Sequence, residues 1–215
     1  MEQKLKADLS RAAILEAAVH EFGTKPFEKA SINQICRDGS ITKGRLYYYF
    51  ESKDQLYVAA EDYCLSLLGD KLLAFTPNPD KSMEDNILAF FLTWQNFWRA
   101  QPSRALFMGR ARLAPPEHLR EATRALQKPF RENVLLKKLQ EIFAVYFPGD
   151  VPRQRMFADI SNVAISYIAI YLGATDLMQS EDLNAFFDHQ LQMFRVLVHI
   201  FLHGCMGCDV PESLF

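Results

Sequence analysis

Apolar residues recur along this chain at three- and four-residue intervals, and an alternation of period two is never sustained for the length of a strand. In the first segment Ile14, Leu15, Ala18, Val19 and Phe22 form one stripe of a helix, which Gly23 and then Pro26 stop. Ser31-Ile32-Asn33-Gln34 has the pattern of a capping box, in which the Ser31 hydroxyl accepts from the backbone N–H three residues on while Gln34 reaches back. That short helix turns Ile32 and Ile35 inward and ends near Asp38-Gly39-Ser40. Thr42 then caps a second short helix, through Leu46 to Tyr49. Ser52-Lys53-Asp54-Gln55, again a capping box, opens a helix that carries Leu56, Ala59, Ala60, Tyr63 and Leu67.

Thr76-Pro77-Asn78-Pro79 breaks the pattern and predicts a loop. Longer helices come after it. One runs from Ser82 to Ala100 with Ile87, Phe90, Phe91, Trp94 and Trp98 on a face, and Pro102 opens the next, to Leu113. Pro115-Pro116 starts a third, which Pro129 either kinks or splits and Pro148-Gly149 ends. The last two span 152–177 and 180–203, where Gly204 is a fitting stop. The expected fold is therefore all-α: an N-terminal three-helix domain over 1–51 with a helix-turn-helix, then a larger helical domain over 52–215.

At 215 residues, 49% hydrophobic and 23% charged, the chain can bury a sizeable core, which excludes extensive disorder. No window approaches the roughly 18 consecutive apolar residues of a membrane span, and Met1 to Lys6 lack the apolar core of a secretory signal, so the cytoplasm is expected and a membrane is not. Cys36, Cys64, Cys205 and Cys208 are too few and scattered for a disulfide framework. The formal net charge is −2; residues 1–57 hold nine Lys/Arg against eight Asp/Glu, so the N-terminus is only slightly the more basic part. Acidic metal clusters, a His-Glu-x-x-His motif, a Gly-rich phosphate loop and a Gly-x-Ser-x-Gly elbow are all missing, so neither an enzyme nor a cofactor is expected. His199, His203, Cys205 and Cys208 in the tail have zinc-ligand chemistry, but a single Cys-x-x-Cys beside Gly204 and Gly207 is an equally ordinary frayed end.

The chemistry concentrates in residues 31–56. A capped short helix, a tight turn and a second short helix rich in donors make a helix-turn-helix, whose second helix enters the major groove of DNA. Thr42, Lys43, Arg45 and three tyrosines crowd that helix, Gly44 would let the backbone approach DNA closely, and Lys53 stands where it could reach a phosphate. Tyr47-Tyr48-Tyr49-Phe50 reads as core or as exposed surface. Four consecutive residues point all round a helix, so Leu46 and Phe50, four apart, are the expected buried pair, with the tyrosines between them partly outside.

These residues resemble the DNA-binding signature of the TetR family. Ser31, Ile35, Ile41, Thr42, Gly44, Leu46, Tyr47, Phe50, Lys53 and Leu56 fall in its register without a gap, and Arg11, Ile14, Leu15, Ala17, Ala18 and Phe22 resemble its first helix. The resemblance covers about a quarter of the chain and implies that Ser31 and Thr42 cap helices and touch phosphates, Lys43 and Gly44 lie against the groove, Tyr47 and Tyr48 contact bases or backbone, and Lys53 a phosphate. Ser40 stands where the family usually has the turn Gly, with Gly39 just before it, so the turn is expected to be shifted or slightly strained. Cys36 replaces a small Ala, and Tyr49 stands where His is common. Arg45, at a variable position, has the fork that matches O6 and N7 of guanine.

The resemblance also implies a homodimer on a palindromic operator in double-stranded DNA, and a small-molecule effector. Apolar residues on the last two helices suit a dimer interface, with Tyr167, Tyr171, Phe187, Phe194 and Phe201 as candidates; the alternative is that both helices are buried within one subunit. Phe91, Trp94, Trp98 and Phe107 are candidate pocket walls, with Asn162 and Ser166 as orienting polar groups. Ordinary core, and solvent for the polar pair, is the competing placement. The expected function is a repressor released from its operator by an effector; control by a protein partner is the alternative.

Overall fold

The computed structural model describes the backbone of residues 2–171 and 182–203, and the side chains of 9–165 and 182–202. The fold is all-α, and no strand forms among the described residues. In chain order the helices are α1 (Glu2–Thr24), α2 (Ile32–Asp38), α3 (Lys43–Tyr49), α4 (Lys53–Leu73), α5 (Met83–Arg99), α6 (Pro102–Leu113), α7 (Arg120–Phe130), α8 (Lys137–Tyr146), α9 (Val151–Tyr171) and α10 (Leu183–His203). Short 3-10 turns at Phe27–Lys29 and Glu117–Leu119 precede α2 and α7. Pro129 neither ends nor splits its helix: a wide π turn over Arg131–Leu136 continues it directly and passes into α8. A proline removes one donor and crowds the preceding turn, and a widened turn is one way a helix absorbs it.

The chain divides into two compact units, 1–67 with 101–127, and 68–100 with 128–215. This differs from the expected break after residue 51. The chain leaves the first unit inside α4, and α6 returns to it because α1 packs most extensively against α6.

In the first unit the stripe Ile14, Leu15, Ala18 and Phe22 of α1 is buried with Ile35, Leu46, Phe50, Leu56 and Phe107. The Phe22 ring lies 5.0 Å from Tyr57 and 5.8 Å from Phe107, and Tyr57 meets Phe107 edge-on at 5.1 Å. Each such ring contributes about 1.5–3 kcal/mol through burial. Gly23 makes the close approach of α1 and α6 possible, since a Cβ there would stand 2.5 Å from the carbonyl oxygen of Ser103.

In the second unit Ile87, Phe90, Phe91 and Trp98 of α5 are buried with Leu139, Ile142 and Phe143 of α8 and with Phe187, Phe194 and Val198 of α10. The expected 76–79 loop is held by Asn86, whose Oδ1 accepts from the Asn78 N–H at 2.7 Å and whose Nδ2 donates to the Asn78 carbonyl at 2.8 Å. Gln95, fully buried, donates through Nε2 to the Phe187 carbonyl at 2.6 Å, fixing α5 against α10.

Candidate nucleic-acid interface

The helix-turn-helix forms where the pattern placed it, with one cap changed. Ser31 sits at the N-cap of α2, but its side chain makes no cap bond. The carboxylate of Glu21, nearly fully buried, accepts from the Ser31 backbone N–H at 2.8 Å and pairs with Lys25 at 2.9 Å. Gln34, instead of reaching back, donates to Asp38 at 2.7 Å and accepts from Arg37 at 2.6 Å. The predicted capping box at Ser31 is thus replaced by a longer-range tie from α1, and a charged acceptor makes the stronger bond.

Two other caps form. Thr42 Oγ1 accepts from the Arg45 N–H at 3.2 Å, and Ser52 Oγ accepts from the Gln55 N–H at 3.1 Å. Gln55 Oε1 reaches the Glu51 N–H, one residue earlier than the box requires. In the turn Gly39 has an ordinary φ of −79° while Ser40 takes +52°. The turn is therefore not shifted: Ser40 itself adopts the left-handed conformation that glycine reaches without a steric cost.

Leu46 and Phe50 are buried and anchor α3, as the four-residue spacing predicted. Tyr47 is 48% exposed and Tyr48 82%, while Tyr49 is half-buried against the core and meets Tyr48 edge-on at 5.1 Å. Lys43, Gly44 and Arg45 are exposed, and nothing lies within 4 Å of a Cβ placed on Gly44. The Arg45 guanidinium donates to Ser10 Oγ on α1 at 2.5 Å. Lys53 rests its ammonium over the Phe27 ring, 4.4 Å from the centroid, a contact that leaves other faces of the ammonium open to solvent. Burial pushes the Cys36 thiol up from its usual value, with Lys43 acting against it, so the thiol stays protonated in its packed place.

The residues expected at the dimer interface and pocket divide. Phe187 and Phe194 are buried inside the second unit, Phe194 stacked on Phe91 at 3.8 Å. Phe201, half-buried, meets Phe157 at 5.4 Å. The helical phase thus sends the large rings of α10 to α5 and α9 within the subunit, and the exposed apolar side chains are others: Met156, Ile160, Val163 (65% exposed) and Ile200. The sequence signal for these was present as a second apolar register on α9, displaced from Ala158, Ser161 and Ile165. Tyr167, Tyr171 and Ser166 lie on α9 with side chains outside the described ones.

In the second unit Phe91 stacks on Trp94, which meets Trp98 edge-on, whereas Phe107 belongs to the first, against Phe22 and Tyr57. A cavity of about 280 Å³ in the second unit is walled by Ile87, Ile160, Ser161, Phe194, Val198 and Phe201. Asn162 is half-buried, its Oδ1 without a hydrogen-bond partner. Cys205, Cys208 and the side chain of His203 lie outside the described residues, and His199 stands 3.8 Å from Glu84.

Residues 14–60 match the pattern of bacterial regulatory proteins of the tetR family. The chain carries the DNA-binding domain of the TetR family. Within that domain the match spans α2, the turn and α3. The A-factor receptor protein of Streptomyces griseus is 34% identical over 62 residues, which are 29% of this chain and 22% of that protein. The chain thus matches about a fifth of that relative's length. Among solved structures, a TetR-family transcriptional regulator from Streptomyces coelicolor superposes with a TM-score of 0.62 at 18% identity, over 92% of this chain and 85% of the other. FadR from Bacillus subtilis, in complex with stearoyl-CoA, superposes with a TM-score of 0.59 at 15% identity, over 85% and 96%. At these identities the likeness is one of fold, and it covers most of the chain.

No helix among the described residues is long and apolar enough to cross a membrane.

Proposed function

We propose that this chain is a dimeric transcription regulator that grips a palindromic operator through α3 and is released by a small-molecule effector, acting as a repressor in the cytoplasm. The observation that carries the reading is the outer face of α3. Lys43, Arg45, Tyr47 and Tyr48 are exposed around a bare Gly44, while Leu46 and Phe50 lock the helix to the core behind them. Exposed aromatic rings and cations on a rigid, capped helix are suited to groove contact. Thr42 and Lys53 flank that face as phosphate contacts, with Ser31 at the start of α2 and Tyr49 at the inner edge.

Such a helix reaches one half-site only, so tight binding needs a second copy. Met156, Ile160, Val163 and Ile200 supply an apolar face for it, and the cavity beside Ile160 and Phe201 belongs to the same face. The effector part of the proposal draws on the fold shared with FadR, whose structure contains stearoyl-CoA. Fluorescence anisotropy on a palindromic fragment from the DNA flanking the gene, titrated with salt, tests the DNA reading. Lys43→Ala should weaken binding and flatten the salt slope by about one unit, and Arg45→Ala should relax base preference at a cost of about 1–3 kcal/mol. Unchanged affinity in both variants and in Tyr47→Ala would sink it.

A further inference from the structure

One turn before Ile14 the apolar stripe of α1 gives way to a polar residue, Ser10. The four-residue spacing keeps Ser10 on the side of α1 that buries Ile14 in the same core as Leu46, and Ser10 is half-buried there. Its Oγ accepts from Nη2 of Arg45 on α3 at 2.5 Å. The next residue, Arg11, sets its guanidinium 5.5 Å from the centre of the Phe50 ring, at the C-cap of α3. Two consecutive residues of α1 thus reach the first turn of α3 and its far end.

Arg45 is the third residue of α3, and the first turn of a helix seated in the major groove is the part that meets base edges. The residue is exposed, and an untethered arginine in such a place has many rotamers, few of which direct its fork at a base. The Ser10 bond selects among them, and it leaves the fork usable. Nη2 has two hydrogens, one on the edge shared with Nη1 and one on the edge shared with Nε, so a single acceptor occupies one edge and leaves the other complete. A guanine needs one such edge for O6 and N7. A hydroxyl also holds the guanidinium without neutralising it, as a carboxylate would; among the described residues no carboxylate pairs with Arg45.

We propose that Ser10 is a positioning residue for base reading: from α1 it fixes the Arg45 guanidinium so that the free edge of the fork meets a guanine. The inference rests on the DNA reading of α3 given above. A fork held in this way cannot turn to another acceptor when the guanine is replaced, so the wrong base leaves it unpaired and costs more than it would with a loose side chain.

Selection by the full-length protein from a randomised double-stranded DNA library defines its preferred duplex, and fluorescence anisotropy on that duplex and its single-pair variants reads the preference pair by pair. Arg45→Ala identifies the pair that Arg45 reads, as the G·C pair whose replacement by A·T no longer matters. At that pair Ser10→Ala should reduce discrimination by about three- to tenfold, while binding to an unrelated duplex changes by less than about twofold. Alanine favours the helix, so α1 stays folded in this variant. Ser10→Thr, which retains the hydroxyl, should keep the wild-type preference, and Ser10→Ala should add nothing in the Arg45→Ala background. Discrimination unchanged in Ser10→Ala would overturn the proposal. So would a loss that falls on every duplex alike, or one as large without Arg45 as with it, which is the signature of a merely structural tie between α1 and α3. The two readings fail differently. A wild type that selects no sequence, or Arg45→Ala with its preference intact, refutes base reading by Arg45 and the role of Ser10 with it; preference lost in Arg45→Ala and kept in Ser10→Ala removes the role of Ser10 alone.

Discussion

Replacing Glu61 with Gln should make the protein more stable, and increasingly so as the solution becomes alkaline. Burial lifts the Glu61 carboxyl from 4.5 to about 7; hydrogen bonding from Gln127 and the nearby Thr123 hydroxyl pull it down, and Asp62 pushes it further up. The folded state therefore holds this proton more tightly than the unfolded chain does. Its contribution to stability is complete below pH 4.5, declines as the pH rises towards about 7, and is absent above. A shift of about 2.5 units at 1.36 kcal/mol each corresponds to about 3 kcal/mol. The Gln amide has the same shape, still accepts from Gln127 and has no proton to lose. Urea unfolding followed by helical circular dichroism should give similar stabilities for the two proteins at about pH 5 and a difference of about 3 kcal/mol at about pH 8. Burial raises Cys36, Tyr57, Tyr63 and Cys64 from values of 9.0 or 10.0, so these groups titrate outside this window. Parallel pH curves for wild type and variant would refute the reasoning.

Ser40→Gly should stabilise the protein by up to about 1 kcal/mol in thermal unfolding, because it removes a left-handed non-glycine residue and gives back part of that gain as unfolded-state entropy. Gly23→Ala should destabilise by about 1–3 kcal/mol, since the new Cβ meets a backbone oxygen that cannot rotate away; an unchanged melting point would show that α1 and α6 yield. Val163→Glu should convert a dimer to a folded monomer in sedimentation. Phe194→Ala, by contrast, should cost about 3–5 kcal/mol of stability, with dimerisation lost only through unfolding.

The legible part of the fold was what local periodicity controls. The boundaries of α3 and α6, the buried pair Leu46 and Phe50, and the caps at Thr42 and Ser52 all depend on residues within one or two turns of each other. What was not legible depends on distant partners. The Ser31 backbone N–H, expected to be met by the Gln34 side chain, is bound by Glu21, a residue on the preceding helix that no local pattern connects to it. On α10 apolar residues occur around much of the circumference, so spacing alone does not say that Phe187 and Phe194 face α5 while Ile200 faces out. Phe107 reads as one more aromatic of the middle helices, and only the return of α6 puts it against Phe22. Glu61 carried a signal that could have been read: it falls four residues after Tyr57 and before Leu65, a carboxylate on the apolar stripe of α4.

The first unit is built from two stretches of chain separated by 68–100, and this has a consequence for biosynthesis. A chain emerging from the ribosome presents α1 to α4 first, and the face of α1 that ends in Phe22 and Gly23 then lacks its most extensive contact until α6 has also emerged. Domains generally fold as they leave the ribosome, but this one must wait while all of α5, which belongs elsewhere, is made. During that interval Phe22 and Tyr57 lack Phe107, and the exposed ring surface is a natural target for a chaperone. A fragment ending at residue 67 would keep the whole helix-turn-helix and still lack one wall of its core, so the smallest self-sufficient folding unit around the helix-turn-helix extends well beyond it in the sequence.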